Sequence, residues 1–123
     1  MPFQIIHESS RLRIVFFDTI TPPDLRTFTD TILAIERSLV VTPNRVSDLT
    51  GVIDWSVGYA EMLTLAERRR EQPPANPVRS AIVAADPASL GFARMFQILN
   101  DHPLVAVEIF STIAEAEAWL AAD

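Results

Sequence analysis

The 123-residue chain has no cysteine, no lysine and only three glycines. Without cysteine there is no disulfide, no thiol nucleophile and no thiolate metal site. Without lysine there is no Schiff base and no phosphate-binding P-loop. Glycines at 51, 58 and 91 cannot make a G-x-G-x-x-G dinucleotide turn. Two histidines, His7 and His102, are too few for a multi-histidine metal site. Positive charge is also scarce: ten arginines face sixteen acids, for a net charge of −6. That balance argues against nucleic acid and against anionic membrane surfaces, which are usually met by a basic face. No run approaches the ~18 apolar residues of a membrane span. Met1–Glu8 has neither a basic start nor a long apolar stretch, so it does not read as a signal peptide. The expectation is a soluble, cytoplasmic protein with no cofactor and no metal.

What the chain does have is apolar side chains, 49% against 21% charged. Residues 1–123 are enough for one domain and too few for two independent cores. The Pro-rich break Gln72–Pro77 reads as a loop inside that domain, because the piece after it cannot bury a core of its own.

Periodicity then divides the chain. Phe3–His7 and Leu12–Phe17 are short apolar stretches split by Glu8-Ser9-Ser10-Arg11, a hairpin pattern. Thr21-Pro22-Pro23-Asp24 opens a helix with a capping hydroxyl, first-turn prolines and an acid near the positive end. Leu25, Phe28, Ile32, Ile35 and Leu39 follow at spacings of 3 and 4, one buried stripe. Val46–Ile53 reads as a strand and 58–70 as a second helix through Tyr59, Met62, Leu63 and Ala66. Ser80–Ala85 is a small and β-branched run suited to a strand covered on both faces. Asp86-Pro87 opens a third helix, Leu104–Phe110 is a last strand, and Thr112 with Glu115 makes a capping box for a final helix. The order β-β-α-β-α-β-α-β-α predicts an α/β domain: an opening hairpin, then βα units giving a mostly parallel five-stranded sheet covered by about four helices. Sites in such sheets form at the carboxyl ends of the strands, here after Phe17, Ile53, Ala85 and Phe110.

Three segments carry a family resemblance. Ile82-Val83-Ala84-Ala85-Asp86 through Gly91-Phe92-Ala93-Arg94-Met95-Phe96 resembles the strand and Gly-x-Ala-Arg-Met helix of the SpoIIAA-like family. Val107–Phe110 with Ala114-Glu115-Ala116-Glu117-Ala118-Trp119-Leu120 is similar to its closing strand and Glu-Ala-x-x-Trp-Leu helix. Asp48-Leu49-Thr50-Gly51-Val52 resembles its third strand, and the match runs in order over about residues 3–120. The resemblance implies a fold shared with STAS domains and related to the lipid-binding Sec14 (CRAL-TRIO) domains. Members of that wider group are not enzymes as a rule. Its STAS anti-sigma-factor antagonists bind a protein partner and are switched by phosphorylation of a serine in the loop after the third strand.

Ser56 keeps the two-residue offset from Asp54 that the STAS switch resembles, although Trp55 replaces a small residue and Gly58 falls one position late. It is either the cap of the second helix or a phosphate acceptor near that helix's free N–H groups. Trp55, a loop tryptophan beside it, is either an interface anchor or a pocket wall. Gly91 and Arg94, three apart, share a helical face. A helix-interior glycine costs about 1 kcal/mol relative to alanine, so close packing on the sheet or a partner, or an opening for an anion held by Arg94, should offset it. Trp119 closes the core under the last helix. Asp48 and Asp54 stand about 20 Å of strand rise apart, too far for an acid–base pair. His7 and His102 read as solvated surface, and Arg68-Arg69-Arg70, flanked by Glu67 and Glu71, as a solvated helix end. With no catalytic set visible, the expected function is a non-catalytic regulatory or protein-interaction domain, a small homodimer meeting a protein partner through Asp54, Trp55, Ser56, Gly58, Gly91 and Arg94. The alternative is a carrier of an apolar anion such as a fatty acid, with Arg94 near its head group.

Overall fold

A computed structural model describes residues 1–122. Its elements are β1 (Phe3–His7), β2 (Arg11–Ile20), α1 (Pro22–Arg37), β3 (Asn44–Trp55), α2 (Tyr59–Glu71), β4 (Val78–Val83), α3 (Pro87–Leu99), β5 (Val105–Phe110) and α4 (Ile113–Ala121). This is the expected order of elements. The five strands lie side by side in sequence order. The sheet is mixed, with β1 antiparallel to β2 and the other three pairings parallel. That corrects the expectation of a mostly parallel sheet: the short turn at Ser9–Ser10 permits only an antiparallel return, so β1 is a full edge strand. Helix α1 also ends earlier than the apolar spacing suggested, at Arg37, so that Leu39 lies beyond it.

Strand alternation sorts the core into two layers. In β4, Ile82 faces α1, α2 and α3 together with Phe16, Phe28, Leu49 and Met62. Its neighbours Ala81 and Val83 face the other way, joining Val46 and Ala116 beneath α4. The larger layer is knit by aromatic edges: Phe28 meets Phe16 at 4.8 Å and Phe3 at 5.5 Å between ring centroids. On the smaller layer Trp119 packs 5.6 Å from Phe110, and Arg79 lies over its ring while donating to the Trp119 carbonyl at 2.7 Å.

Three helices begin on a side chain. Asp24 accepts the Thr21 hydroxyl at 2.7 Å and the Thr21 N–H at 2.9 Å. Asp86 accepts the Ser89 N–H at 3.0 Å, and Glu115 accepts the hydroxyls of Ser111 and Thr112 at 2.9 and 3.0 Å. Bonds from Thr21 hold the Asp24 carboxyl below its ordinary value; those from Ser89 do so for Asp86, and those from Ser111 and Thr112 for Glu115. A carboxyl depressed in the folded state contributes stability above its unfolded value and loses it as pH falls through the folded one. Stability is therefore expected to be flat above about pH 5 and to fall below the ordinary carboxylate range near 4. Urea denaturation over a pH series measures this. Asp24→Asn with Glu115→Gln should flatten the acid limb, and an unchanged limb would locate the titration elsewhere.

Candidate functional site

β3 outruns its neighbour. Its pairing with β4 covers only Arg45–Asp48, whereas its pairing with β2 continues to Trp55. The last third of β3 and the end of β2 thus form a two-stranded ribbon, which Ser56 extends by donating its N–H to the Ile20 carbonyl at 2.8 Å. The ribbon is bent by register shifts between Val15 and Phe17 and between Asp18 and Thr19. Asp18 takes a left-handed φ of 58° there. Gly51 lies opposite the first shift, where a Cβ would sit 3.1 Å from both the Phe16 carbonyl oxygen and the Phe17 Cβ. Its lack of a side chain is what lets the two strands close at the bend.

Trp55 fastens the end of the ribbon. Its indole Nε1 donates to the buried Ser89 hydroxyl at 2.9 Å, and its ring stacks on Phe92 with centroids 3.9 Å apart. Phe16 approaches the same ring at 6.3 Å. The structure thus places Trp55 as a half-buried brace between β3 and the first turns of α3. Around it the chain is open. Asp54 and Ser56 are exposed, and the Ser56 hydroxyl donates to Asp54 Oδ2 at 3.0 Å. Ser56 is not the helix cap. That position belongs to Gly58, whose N–H is taken by Glu61 Oε1 at 2.9 Å.

Asp54, Ser56 and Gly58 therefore stand together at one corner, and Trp55 joins that corner to α3. Gly91 and Arg94 lie on the outer face of α3. Among the described residues nothing comes within 4 Å of a Cβ built on Gly91, so the close packing expected at this glycine does not occur among them. Arg94 is exposed and makes no ion pair with the described residues.

The hydrogen bonds of the corner are those of a turn. Among the described residues no serine hydroxyl is bonded to a histidine, and no group of three or more His, Asp or Glu side chains could hold a metal ion. Asp48 binds the Thr50 N–H and hydroxyl at 2.9 and 2.7 Å. His7 is exposed as expected. His102 is not solvated surface: it is half-buried, and its Nδ1 accepts the Leu104 N–H at 3.0 Å.

The arginine run departs most from expectation. Arg68 pairs with Asp30 at 2.7 Å, and Arg69 turns inward to Glu36 at 2.6 Å. Only Arg70 stays at an exposed helix end. Glu36 also holds Arg45 at 2.9 Å, and Arg45 is buried at the start of β3. Arg45 and Glu36 were absent from the residues singled out by sequence. The signal was their phase: Arg45 alternates with Ser47 and Leu49, and Glu36 follows Ile32 by one helical turn. Between the sheet and α1, α2 and α3 lies an apolar space of about 50 Å³ walled by Phe16, Phe28, Ile82, Phe92 and Phe96. Arg45 and Arg69 reach it, and Arg94 does not.

No family model matches the chain, and no curated protein matches it. Solved structures do. One is the crystal structure of an uncharacterized DUF3478-family protein with a SpoIIAA-like fold from Shewanella loihica PV-4, 16% identical. The alignment covers 97% of this chain and 92% of that one, with a TM-score of 0.63. No helix among the described residues is long and apolar enough to cross a membrane. The chain has a SpoIIAA-like fold.

Proposed function

We propose that the chain is a non-catalytic protein-interaction domain of a regulatory kind, working as a homodimer or with a protein partner through the corner between β3 and α2. The observation that carries this reading is the exposure of Ile53 and Tyr59, at 83% and 57%, on a braced frame. Two large side chains held in water on either side of Trp55 are the pattern of an interface anchor: apolar area offered on a backbone that need not be ordered on binding. Ser56 stands between them with an exposed hydroxyl. Phosphorylation of that oxygen would replace a donor to Asp54 by a dianion beside a carboxylate, pushing the loop away from its present turn.

A carrier of an acyl chain is the weaker reading. The apolar space of about 50 Å³ is far below the roughly 300 Å³ at which small-molecule pockets begin, and Arg94 does not reach it.

Ile53→Glu and Tyr59→Ala are each expected to weaken self-association about tenfold or more, read by sedimentation equilibrium, with the melting temperature unchanged. Ser56→Glu should shift the same equilibrium. A wild-type chain that stays monomeric at millimolar concentration, and that yields no photocrosslink in its native cell from a probe at 53 or 59, overturns the reading. The brace has its own test. Trp55→Phe keeps the stack on Phe92 but leaves the buried Ser89 hydroxyl without its donor, and should cost about 1–2 kcal/mol in urea denaturation. A cost near zero would mean that Ser89 finds another partner and the frame does not depend on the indole.

A further inference from the structure

The opposite pole of the sheet carries a second, different feature. A cavity of about 180 Å³, its wall part polar and part apolar, opens where β3 and β5 begin and where α1, α2 and α3 end. Its wall includes Arg37, Arg45, Arg69 and Arg70, with Glu36 as the one carboxylate. In a chain of net charge −6, four cations gathered around one small cavity need a reason.

The simplest reason is that three helix carboxyl ends converge here, each carrying about half a negative charge. Those ends answer roughly one and a half of the positive charges, and Glu36 answers one more. The wall keeps an excess of positive charge. Arg45 registers it: burial and the neighbouring charge of Arg69 push its pKa down to about 9, against the pull of Glu36. It remains protonated at neutral pH.

Unused donors sit in the same wall. Arg45 spends Nε on Ser80 and Nη1 on Glu36, and its Nη2 has no acceptor among the described residues. No sealed side-chain nitrogen or oxygen among the described residues lacks a partner, so that Nη2 is reachable from open space. Asn100, only 4% exposed, also lines the cavity, and its side-chain amide bonds to none of the described residues. Like the Arg45 Nη2, that amide is open to the cavity rather than sealed, and so is free to meet a ligand there. Arg70 has no ion pair with the described residues, and Arg37 is bonded only to the neutral Gln72 at 2.9 Å.

We infer that this cavity is a binding site for a small oxyanion, a carboxylate or phosphate group on a compact organic molecule. The grip on Glu36 shows the mode, two guanidinium groups turned onto one carboxylate. The ligand's oxyanion takes the unused donors of Arg45, Asn100 and Arg70, while Leu33 and Val105 give its carbon skeleton an apolar wall. The site is independent of the β3–α2 corner and stands or falls apart from it.

The test is NMR titration of the full chain with succinate, with inorganic phosphate, and with sodium chloride at matched ionic strength. The expected result is saturable movement of the Asn100 side-chain amide and of the Arg45 and Arg69 Nε–H signals with succinate or phosphate, but not with chloride. Arg70→Gln, at an exposed position, should weaken binding at least fivefold without unfolding the chain, and Arg94→Gln should leave it unchanged. Saturation by succinate alone identifies a carboxylate, and by phosphate alone a phosphate. Linear shifts matched by chloride overturn the inference and leave the arginines as counter-charges to helix ends. Saturable binding that ignores an Arg37→Gln/Arg70→Gln double variant overturns it as well, because the anion then sits elsewhere.

Discussion

The Glu36 carboxylate holds the helical layer to the sheet at one end. It accepts from Arg45 at 2.9 Å and from Arg69 at 2.6 Å, and so ties the last turn of α1 to the start of β3 and the last turn of α2. All three side chains are largely buried. Taking them out of water costs several kcal/mol per ion, and their attraction offsets this only with good geometry and further hydrogen bonds. Ser80 supplies one of these, accepting from Arg45 Nε at 3.1 Å. The arrangement is therefore a weak net source of stability but a strict one. Loss of Glu36 would leave two arginines facing each other in the interior, a change of the kind that costs about 3–5 kcal/mol. Well-packed apolar replacements of all three could hold the helices as firmly, and would remove the charge that makes this pole different from the other.

That difference organises the molecule. The parallel strands all point one way, and β3 spans about 35–40 Å from Asn44 to Trp55. At its carboxyl end the chain is aromatic and braced, with Trp55 clamped between Ser89 and Phe92. At its amino end it is cationic and hollow. Open α/β sheets usually bind ligands at the carboxyl ends of their strands, and that expectation pointed to Asp54–Gly58. The cavity rich in arginine lies at the other end, because three helices finish there on Arg37, on Arg69 and Arg70, and on Asn100.

The fold was legible in the sequence because its signals are local. Thr21-Pro22-Pro23-Asp24, Asp86-Pro87 and Thr112 with Glu115 each mark a helix start within four residues. The run Ser80–Ala85 reads directly as a strand buried on both faces, and β4 follows it two residues early, over Val78–Val83. The corner was legible in part: Asp54 and Trp55, read as loop after Ile53, belong to the end of β3, and the cap moved to Gly58 because Ser56 pairs with the end of β2 instead. The charged pole was not legible. Glu36, Arg45 and Arg69 come from three elements, and a charge on an amphipathic element is read as solvent-facing by default. Phase contradicts that default in each case, since each continues a buried row: Ile32 to Glu36, Leu65 to Arg69, and Arg45 to Leu49. One such coincidence says little. Three, of opposite sign, on elements that must pack together, describe an ion triad.

Helix α2 connects the two poles. Its amino end leaves the braced corner at Gly58, and its carboxyl end enters the triad through Arg69, about 17 Å away. Between them only Met62, Leu65 and Ala66 are buried, and it packs chiefly on α1 and α3 rather than on the sheet. A helix with so narrow a buried stripe takes its position largely from its ends. Arg68 on Asp30 and Arg69 on Glu36 set one end against α1, and the Trp55 brace, through the short turn to Gly58, sets the other. An anion held by Arg70 and a partner pressing on Tyr59 would meet the same helix, one at each end.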